Sequence, residues 1–282
     1  MTYVHDSLGQ FTTAYVDLME DLAKVTTGRA RRGRHGALLA VAGAPAASLN
    51  FVISPSSEPL AEDIAALAES ERWDVPWSIQ VRGVPGPQVA EEAARHGLTR
   101  LEIIPLMVRR PDEGMPAQQT YGSLQVRAIE AAELRLYVKV MAEGFGVPHE
   151  MFAMLDDPAV ARLDGVAFYL AEVDGVPVGT GMTAVRGELN GIFNISTLPG
   201  HRRRGYGWAV TMELVRAGYA SGAPTAYLYA SAMGEPVYAS AGFHTEEYLS
   251  VLSAPTQESN VSPKRAGSLS ASPKAVSRAR KG

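Results

Sequence analysis

The chain has 282 residues, of which 46% are hydrophobic, 7% aromatic and 20% charged. That composition suits an ordinary globular protein and excludes collagen-like, wholly disordered and membrane-spanning classes. No apolar run approaches the roughly 18 residues a membrane helix needs, and Met1 to Gln10 lacks a basic-then-apolar signal layout, so the expectation is a cytoplasmic protein with no membrane partner. The absence of cysteine removes disulfides, thiolate metal sites and a cysteine nucleophile.

In chain order, the pattern predicts a helix over 6–26, strands at 37–42 and 49–53, and a helix from Pro59 to Ser70. A strand at 77–81, a helix opened by Pro87 and ending near Gly97, and a strand at 100–108 follow. The Pro-, Gly- and Gln-rich stretch 110–119 has no apolar period and marks a linker over 111–123. Beyond it the expected elements are a strand at 124–129, helices at 131–143 and 148–156, and strands at 166–173, 176–185 and 190–198. A helix over 203–221, a strand at 225–230, a short helix at 235–241 and a strand at 243–252 complete the series.

Both halves therefore end helix, strand, helix, strand, which suggests a distant duplication. The expected organisation is a partner domain at 1–110, a linker at 111–123, a second domain at 124–255 and a tail at 256–282. The tail carries six basic residues against Glu258, a balance of +5 in a chain whose formal charge is -4. It has too little to bury to offset its ordering entropy, so it is expected to be disordered, with at most weak, salt-sensitive attraction to nucleic acid.

The chemistry concentrates in Ile192 to Ala209, where a strand enters a short basic turn and then a helix with Trp208, Met212, Val215 and Tyr219 on one face. The first amides of such a helix have no intrahelical acceptor and its dipole is positive there, which suits a pyrophosphate. Gly205 and Gly207 let phosphates approach the backbone, and Arg202, Arg203 and Arg204 supply charge. Neither the P-loop pattern nor the dinucleotide fingerprint is present, so ATP and NAD are disfavoured.

Arg202-Arg203-Arg204-Gly205-Tyr206-Gly207 resembles the acetyl-CoA motif [QR]-x-x-G-x-[GA] of the GNAT superfamily of N-acetyltransferases, with Pro199 placed as in that family. A second resemblance follows in Tyr227 to Ser231 and in Tyr238-Ala239-Ser240-Ala241-Gly242-Phe243, which looks like the family's next strand and its Y-x-x-x-G-F helix end. The resemblance is direct over about 124–252 and only architectural over 1–110. It implies a GNAT fold of α/β (α+β) type, a mixed central sheet flanked by helices, in two tandem GNAT-like domains of which the first is degenerate.

The same resemblance implies acetyl-CoA as co-substrate and transfer of its acetyl group to a primary amine of a small molecule or protein. Ile195, Ser196 and Thr197 would pair with the pantetheine arm, while Arg202 to Arg204, Gly205, Tyr206, Gly207 and Trp208 would hold the pyrophosphate, with Ser231 a further cofactor contact. Tyr238 matches the family's general acid. With no thiol in the chain, direct attack in a ternary complex is favoured over an acyl-enzyme.

No general base is assigned, since 190–198 carries no carboxylate; a water chain to Glu172, Glu188 or His149, or deprotonation in solvent, stays open. The six histidines are scattered without ligand spacing, so no metal is expected. Arg29 to Gly36 looks like a second phosphate turn but has Ala30 and His35 at motif positions and a strand after it. Two rival readings are a non-catalytic CoA-binding regulatory module and an interaction protein working through its basic tail; a homodimer is admitted.

Overall fold

The computed structural model describes residues 6–114 and 120–255. Its first half runs through helix α1 (Gly9–Val25), strands β1 (Arg29–Arg32), β2 (Leu38–Val41) and β3 (Asn50–Ser54), helix α2 (Ala61–Glu69), strand β4 (Ser78–Arg82), helix α3 (Pro87–Arg95) and strand β5 (Arg100–Arg109). The second half holds β6 (Leu124–Ala128), α4 (Leu134–Phe145), β7 (Val166–Val173), β8 (Val176–Arg186), β9 (Leu189–Thr197), α5 (Tyr206–Ala220), β10 (Thr225–Tyr229), α6 (Glu235–Ser240) and β11 (His244–Ser253).

These strands form one mixed sheet in the order β1-β2-β3-β4-β11-β5-β10-β9-β8-β7-β6. Helices α1 and α4 cover one face and α2, α3, α5 and α6 the other. Each half contains a parallel pair, β3 with β4 and β9 with β10. The strand that follows each pair then crosses to the other half: β5 lies against β10, and β11 lies against β4. β5 and β11 pair antiparallel with each other from Arg100↔Ser253 to Val108↔His244. Consecutive strands are usually neighbours, so this exchange has no local sequence signature. The linker at 111–123 separates the halves in sequence, while their sheet is continuous.

Helix α1 shows why the sheet curls. Val16 packs on Leu38 and Phe51 of β2 and β3, whereas Leu18 and Leu22 pack with Tyr137 of α4, Phe168 of β7 and Met182 of β8. Strands β2 and β8 lie far apart in the sheet order, and at roughly 4.8 Å per strand only a curled sheet brings both onto one helix. Apolar residues on two sides of α1, rather than one stripe, are what make this central position stable.

Two expectations are corrected. The segment 148–156 is a pair of 3-10 turns, His149–Met151 and Ala153–Asp156, broken at Phe152; Pro148 ahead and Pro158 behind leave too little length for an α-helix, and in the two turns only Leu155 is buried. Arg29–Arg32 is a strand that the sequence pattern hid, because it is an edge strand without apolar alternation. Two of its arginines are tied to acids, Arg29 to Glu71 at 2.9 Å and Arg32 to Asp17 and Glu20 at 2.5 and 2.6 Å. The proposed tail, 256–282, lies outside the described residues, as does 115–119 of the linker.

Candidate active site

Strands β9 and β10 part. Their parallel pairing covers only Leu189↔Thr225, Asn190↔Ala226 and Gly191↔Tyr227, although β9 continues to Thr197 and β10 to Tyr229. From Ile192 onward the β10-facing edge of β9 therefore carries backbone amides and carbonyls available to an extended ligand, the geometry of β-strand addition. In the first half, β3 and β4 stay paired from Phe51↔Ser78 to Ser54↔Val81, so no such gap forms there.

A bulge fixes the parted stretch. Between Thr180↔Ser196 and Met182↔Phe193 the β9 strand has an extra residue, and Asn194 sits at φ 55°. The Thr180 hydroxyl donates to the Asn194 carbonyl at 2.8 Å and lies 2.7 Å from the Ser196 hydroxyl. Ser196 is thus buried beside Thr180, while Ile195 and Thr197 are half-buried along the open stretch. The phenol of Tyr137, on α4, is fully buried beside Asn194 and Thr180, and burial pushes it well above its usual range. This cluster was invisible in the sequence, because it joins residues from three elements.

The turn after β9 contains Pro199–His201 as a 3-10 turn and then two left-handed residues, Arg203 at φ 62° and Gly205 at φ 80°. Helix α5 starts at Tyr206, and its first intrahelical bond runs from Ala209 N–H to Gly205 O at 3.0 Å. Gly205 supplies no side-chain cap, so the amides of Tyr206, Gly207 and Trp208 point out of the helix with no backbone acceptor among the described residues. A Cβ on Gly207 would meet nothing nearer than Thr197 Oγ1 at 3.9 Å.

The three arginines divide their work. Arg202 donates from Nε to Thr197 O at 3.1 Å and from Nη2 to Gly144 O at 2.7 Å, tying the end of β9 to the C-terminal turn of α4, where carbonyl dipoles favour a cation. Arg203 and Arg204 are exposed, and Arg204 makes only a 3.3 Å contact to Gly200 O. Tyr121, at the far end of the linker, was not singled out from sequence; its ring covers Gly205, where a Cβ would overlap it, and lies 6.2 Å from Trp208.

Helix α6 stands beside this turn, joined to α5 by a bond from Trp208 Nε1 to Ser240 O at 3.3 Å. Ser231 organises its start: Ser231 Oγ accepts the Gly234 N–H at 3.2 Å and its carbonyl accepts Glu235 N–H at 2.9 Å. Tyr238 is half-buried, edge-on to Phe243 at 6.2 Å, and packs with Ile195, Trp208 and Tyr121 against the same core as α5. Burial pushes its phenol up to about 12.

The base candidates are not equivalent in space. Glu188 precedes β9 and lies roughly 30 Å along the chain from Thr197 at 3.3 Å per residue, too far for one water. Glu172 is held by Arg127 at 2.8 Å, and His149 by Asp156 at 2.9 Å. No cluster that could bind a metal is found among the described residues, and no described helix is long and apolar enough to cross a membrane.

Residues 131–245 match the acetyltransferase (GNAT) family, and that span contains β9, the glycine turn, β10 and α6. The second half carries a GNAT acetyltransferase domain. The chain is similar in fold to a GCN5-related N-acetyltransferase from Kribbella flavida, at 18% identity and TM-score 0.62 over 89% of this chain and 97% of that one. A second enzyme so described, from Sphaerobacter thermophilus, aligns at 17% identity and TM-score 0.51 over 78% and 82%. A conserved protein of unknown function from Staphylococcus epidermidis aligns at 13% and 0.56 over 80% and 94%. No curated protein matches the chain.

Proposed function

We propose that the protein transfers the acetyl group of acetyl-CoA to a primary amine, by direct attack within a ternary complex. The observation that carries this reading is the parting of β9 and β10 immediately beside a glycine turn with unsatisfied helix amides. In this reading Ile195, Ser196 and Thr197 receive the pantetheine amides, the amides of Tyr206, Gly207 and Trp208 take the pyrophosphate, and Arg203 and Arg204 add charge. Arg202 acts through the backbone it ties down, and Ser231 acts through the start of α6.

The amine nitrogen attacks the thioester carbon, the C–S bond breaks, and the sulfur leaves as thiolate while the nitrogen loses a proton. In this reading Tyr238 is the donor to that sulfur. With its phenol near 12 and a thiol in the usual range of about 8.5, full proton transfer is uphill, so Tyr238 serves as a hydrogen-bond donor as charge develops. The parted stretch of β9 holds no carboxylate, which is the observation favouring a second reading, a CoA-binding module without turnover.

Measurement of CoA release with a panel of amines separates the two. Turnover with at least one amine is the expected result. Saturable acetyl-CoA binding without turnover on any amine would favour the binding module.

A further inference from the structure

A bulged strand needs an anchor, because its extra residue has no place in the ladder. The β8–β9 register passes from Thr180↔Ser196 to Met182↔Phe193, so Gly181 stands opposite two residues, Asn194 and Ile195, and β10 pairs with neither. The side chains here divide by face. Ile195 packs with Val210 and Leu214 of α5, and Gly181 leaves that space to them, since a Cβ there would lie 2.9 Å from Val210 Cγ1 and 3.1 Å from Ile195 Cδ1. Ser196 turns to the other face, under α4, where a Cβ on Gly144 would overlap its hydroxyl.

Thr180 closes the bulge with a single proton. Its hydroxyl donates to Asn194 O at 2.8 Å, and Ser196 Oγ lies 2.7 Å from it. A carbonyl only accepts and a hydroxyl has one proton, so the second bond runs from Ser196 to Thr180. The Ser196 proton is therefore engaged inside the protein, and this residue offers a ligand its backbone. Thr180 is fully buried and Ser196 nearly so, which keeps water from competing for either bond. Asn194, at φ 55°, is in a conformation that persists where neighbours enforce it.

The peptide joining Asn194 to Ile195 is planar and trans, so its N–H points opposite to its C=O. With the carbonyl turned onto Thr180 of β8, the Ile195 amide is turned to the side from which β10 has parted. We infer that Thr180 is a positioning residue for acetyl transfer: by holding the Asn194 carbonyl, its hydroxyl aims the Ile195 amide at the carbonyl oxygen of the bound thioester. The inference rests on the acetyltransferase reading and adds to it the side chain that sets the direction of the polarising donor. Negative charge appears on that oxygen as the amine nitrogen adds to the thioester carbon, and it returns to a carbonyl as the C–S bond breaks with its electrons on sulfur. A donor aimed beforehand stabilises that charge without reorganising.

The test uses the full chain and its Thr180→Val, Thr180→Ser and Thr180→Ala variants, with CoA and with acetyl-CoA carrying ¹³C at the thioester carbonyl. In the wild-type complex the infrared carbonyl stretch should lie below its value in buffer. It should return toward the buffer value in Thr180→Val and stay near wild type in Thr180→Ser, while calorimetric affinity for CoA, which has no such carbonyl, changes less than about threefold in both. Should Thr180→Val fail to fold, Thr180→Ser and Thr180→Ala decide, because they differ by one hydroxyl: the shift should survive in the first and vanish in the second. A wild-type stretch in Thr180→Val or Thr180→Ala, or a wild-type complex with the buffer value, would overturn the inference while leaving acetyl-CoA binding in place. Failure of acetyl-CoA to bind the wild-type chain would instead overturn the acetyltransferase reading, and the inference with it.

Discussion

Arg109, at the end of a strand supplied by the first half, donates its Nε to the carbonyl of Ala241 at 3.0 Å, just past the helix that carries Tyr238. The guanidinium is buried, also donates to Gly114 O, and is paired with no carboxylate among the described residues. Its charge instead meets the Ala241 carbonyl at the C-terminal end of α6, where the helix dipole is negative, and the Gly114 carbonyl in the segment after β5. The first half thus braces the proposed donor.

Removing that brace should cost both stability and rate. Arg109→Leu leaves the Ala241 and Gly114 carbonyls without their donor and should lower the unfolding free energy by about 2–4 kcal/mol, read by denaturant titration. Arg109→Lys should recover part of the stability but not the two-carbonyl geometry, so its kcat should stay below wild type while the KM for acetyl-CoA changes little.

The strand exchange makes a prediction about fragments. A chain of 124–255 lacks β5, which leaves β10 and β11 with open edges, and a chain of 6–110 leaves β4 without β11. Each fragment expressed alone should aggregate or fail to show cooperative unfolding, while co-expression should restore a soluble pair. Independent, cooperative folding of 124–255 would contradict the exchange.

Glycines 205 and 207 should respond in opposite ways. Gly205 combines φ 80° with a Tyr121 ring over its Cα, so Gly205→Ala should destabilise by about 1–3 kcal/mol. Gly207 lies in the first turn of α5, where a Cβ would make only an ordinary contact with Thr197 Oγ1 at 3.9 Å, so Gly207→Ala should leave the melting temperature the same or slightly higher. The same Gly207 variant should weaken acetyl-CoA binding, because its methyl enters the phosphate space.

The pH dependence follows from two groups. Burial holds Tyr238 protonated up to about 12, so kcat/KM should rise with pH as the amine becomes neutral and should show no alkaline fall below pH 10 from loss of this donor. Tyr238→Phe should lower kcat by roughly a hundredfold at every pH in that range. Asp6 acts on stability instead: its hydrogen bond from Arg82 holds the carboxyl below the usual 3.8, a depressed folded value. Its contribution is therefore fully present above 3.8 and lost as pH falls through the depressed folded value, so Asp6→Asn should lower the melting temperature at pH 7 and differ less from wild type as the pH is lowered below 3.8.

Much of this was legible in local pattern. The β9 strand, the glycine turn and α5 follow one another with correct periodicity, and Tyr238 sits four residues before Gly242 on a short helix. Arg202 was read as a phosphate ligand from its position, whereas its side chain turns back to Gly144, a residue 58 positions away that no motif predicts. Tyr137 and Arg109 escaped notice for the same reason: their significance comes from partners across the sheet, Asn194 and Ala241. The exchange of β5 and β11 depends on long-range pairing, to which hydrophobic period is blind.

The decisive measurement is calorimetric titration of acetyl-CoA into the full chain and into Gly207→Glu, a site chosen because its φ is ordinary and its Cβ meets only Thr197 Oγ1 at 3.9 Å. Micromolar binding by wild type, with none by a variant that unfolds at the wild-type temperature, is the predicted result. Equal binding by the two proteins would remove the phosphate turn from the site, and no binding by wild type would contradict the acetyltransferase reading.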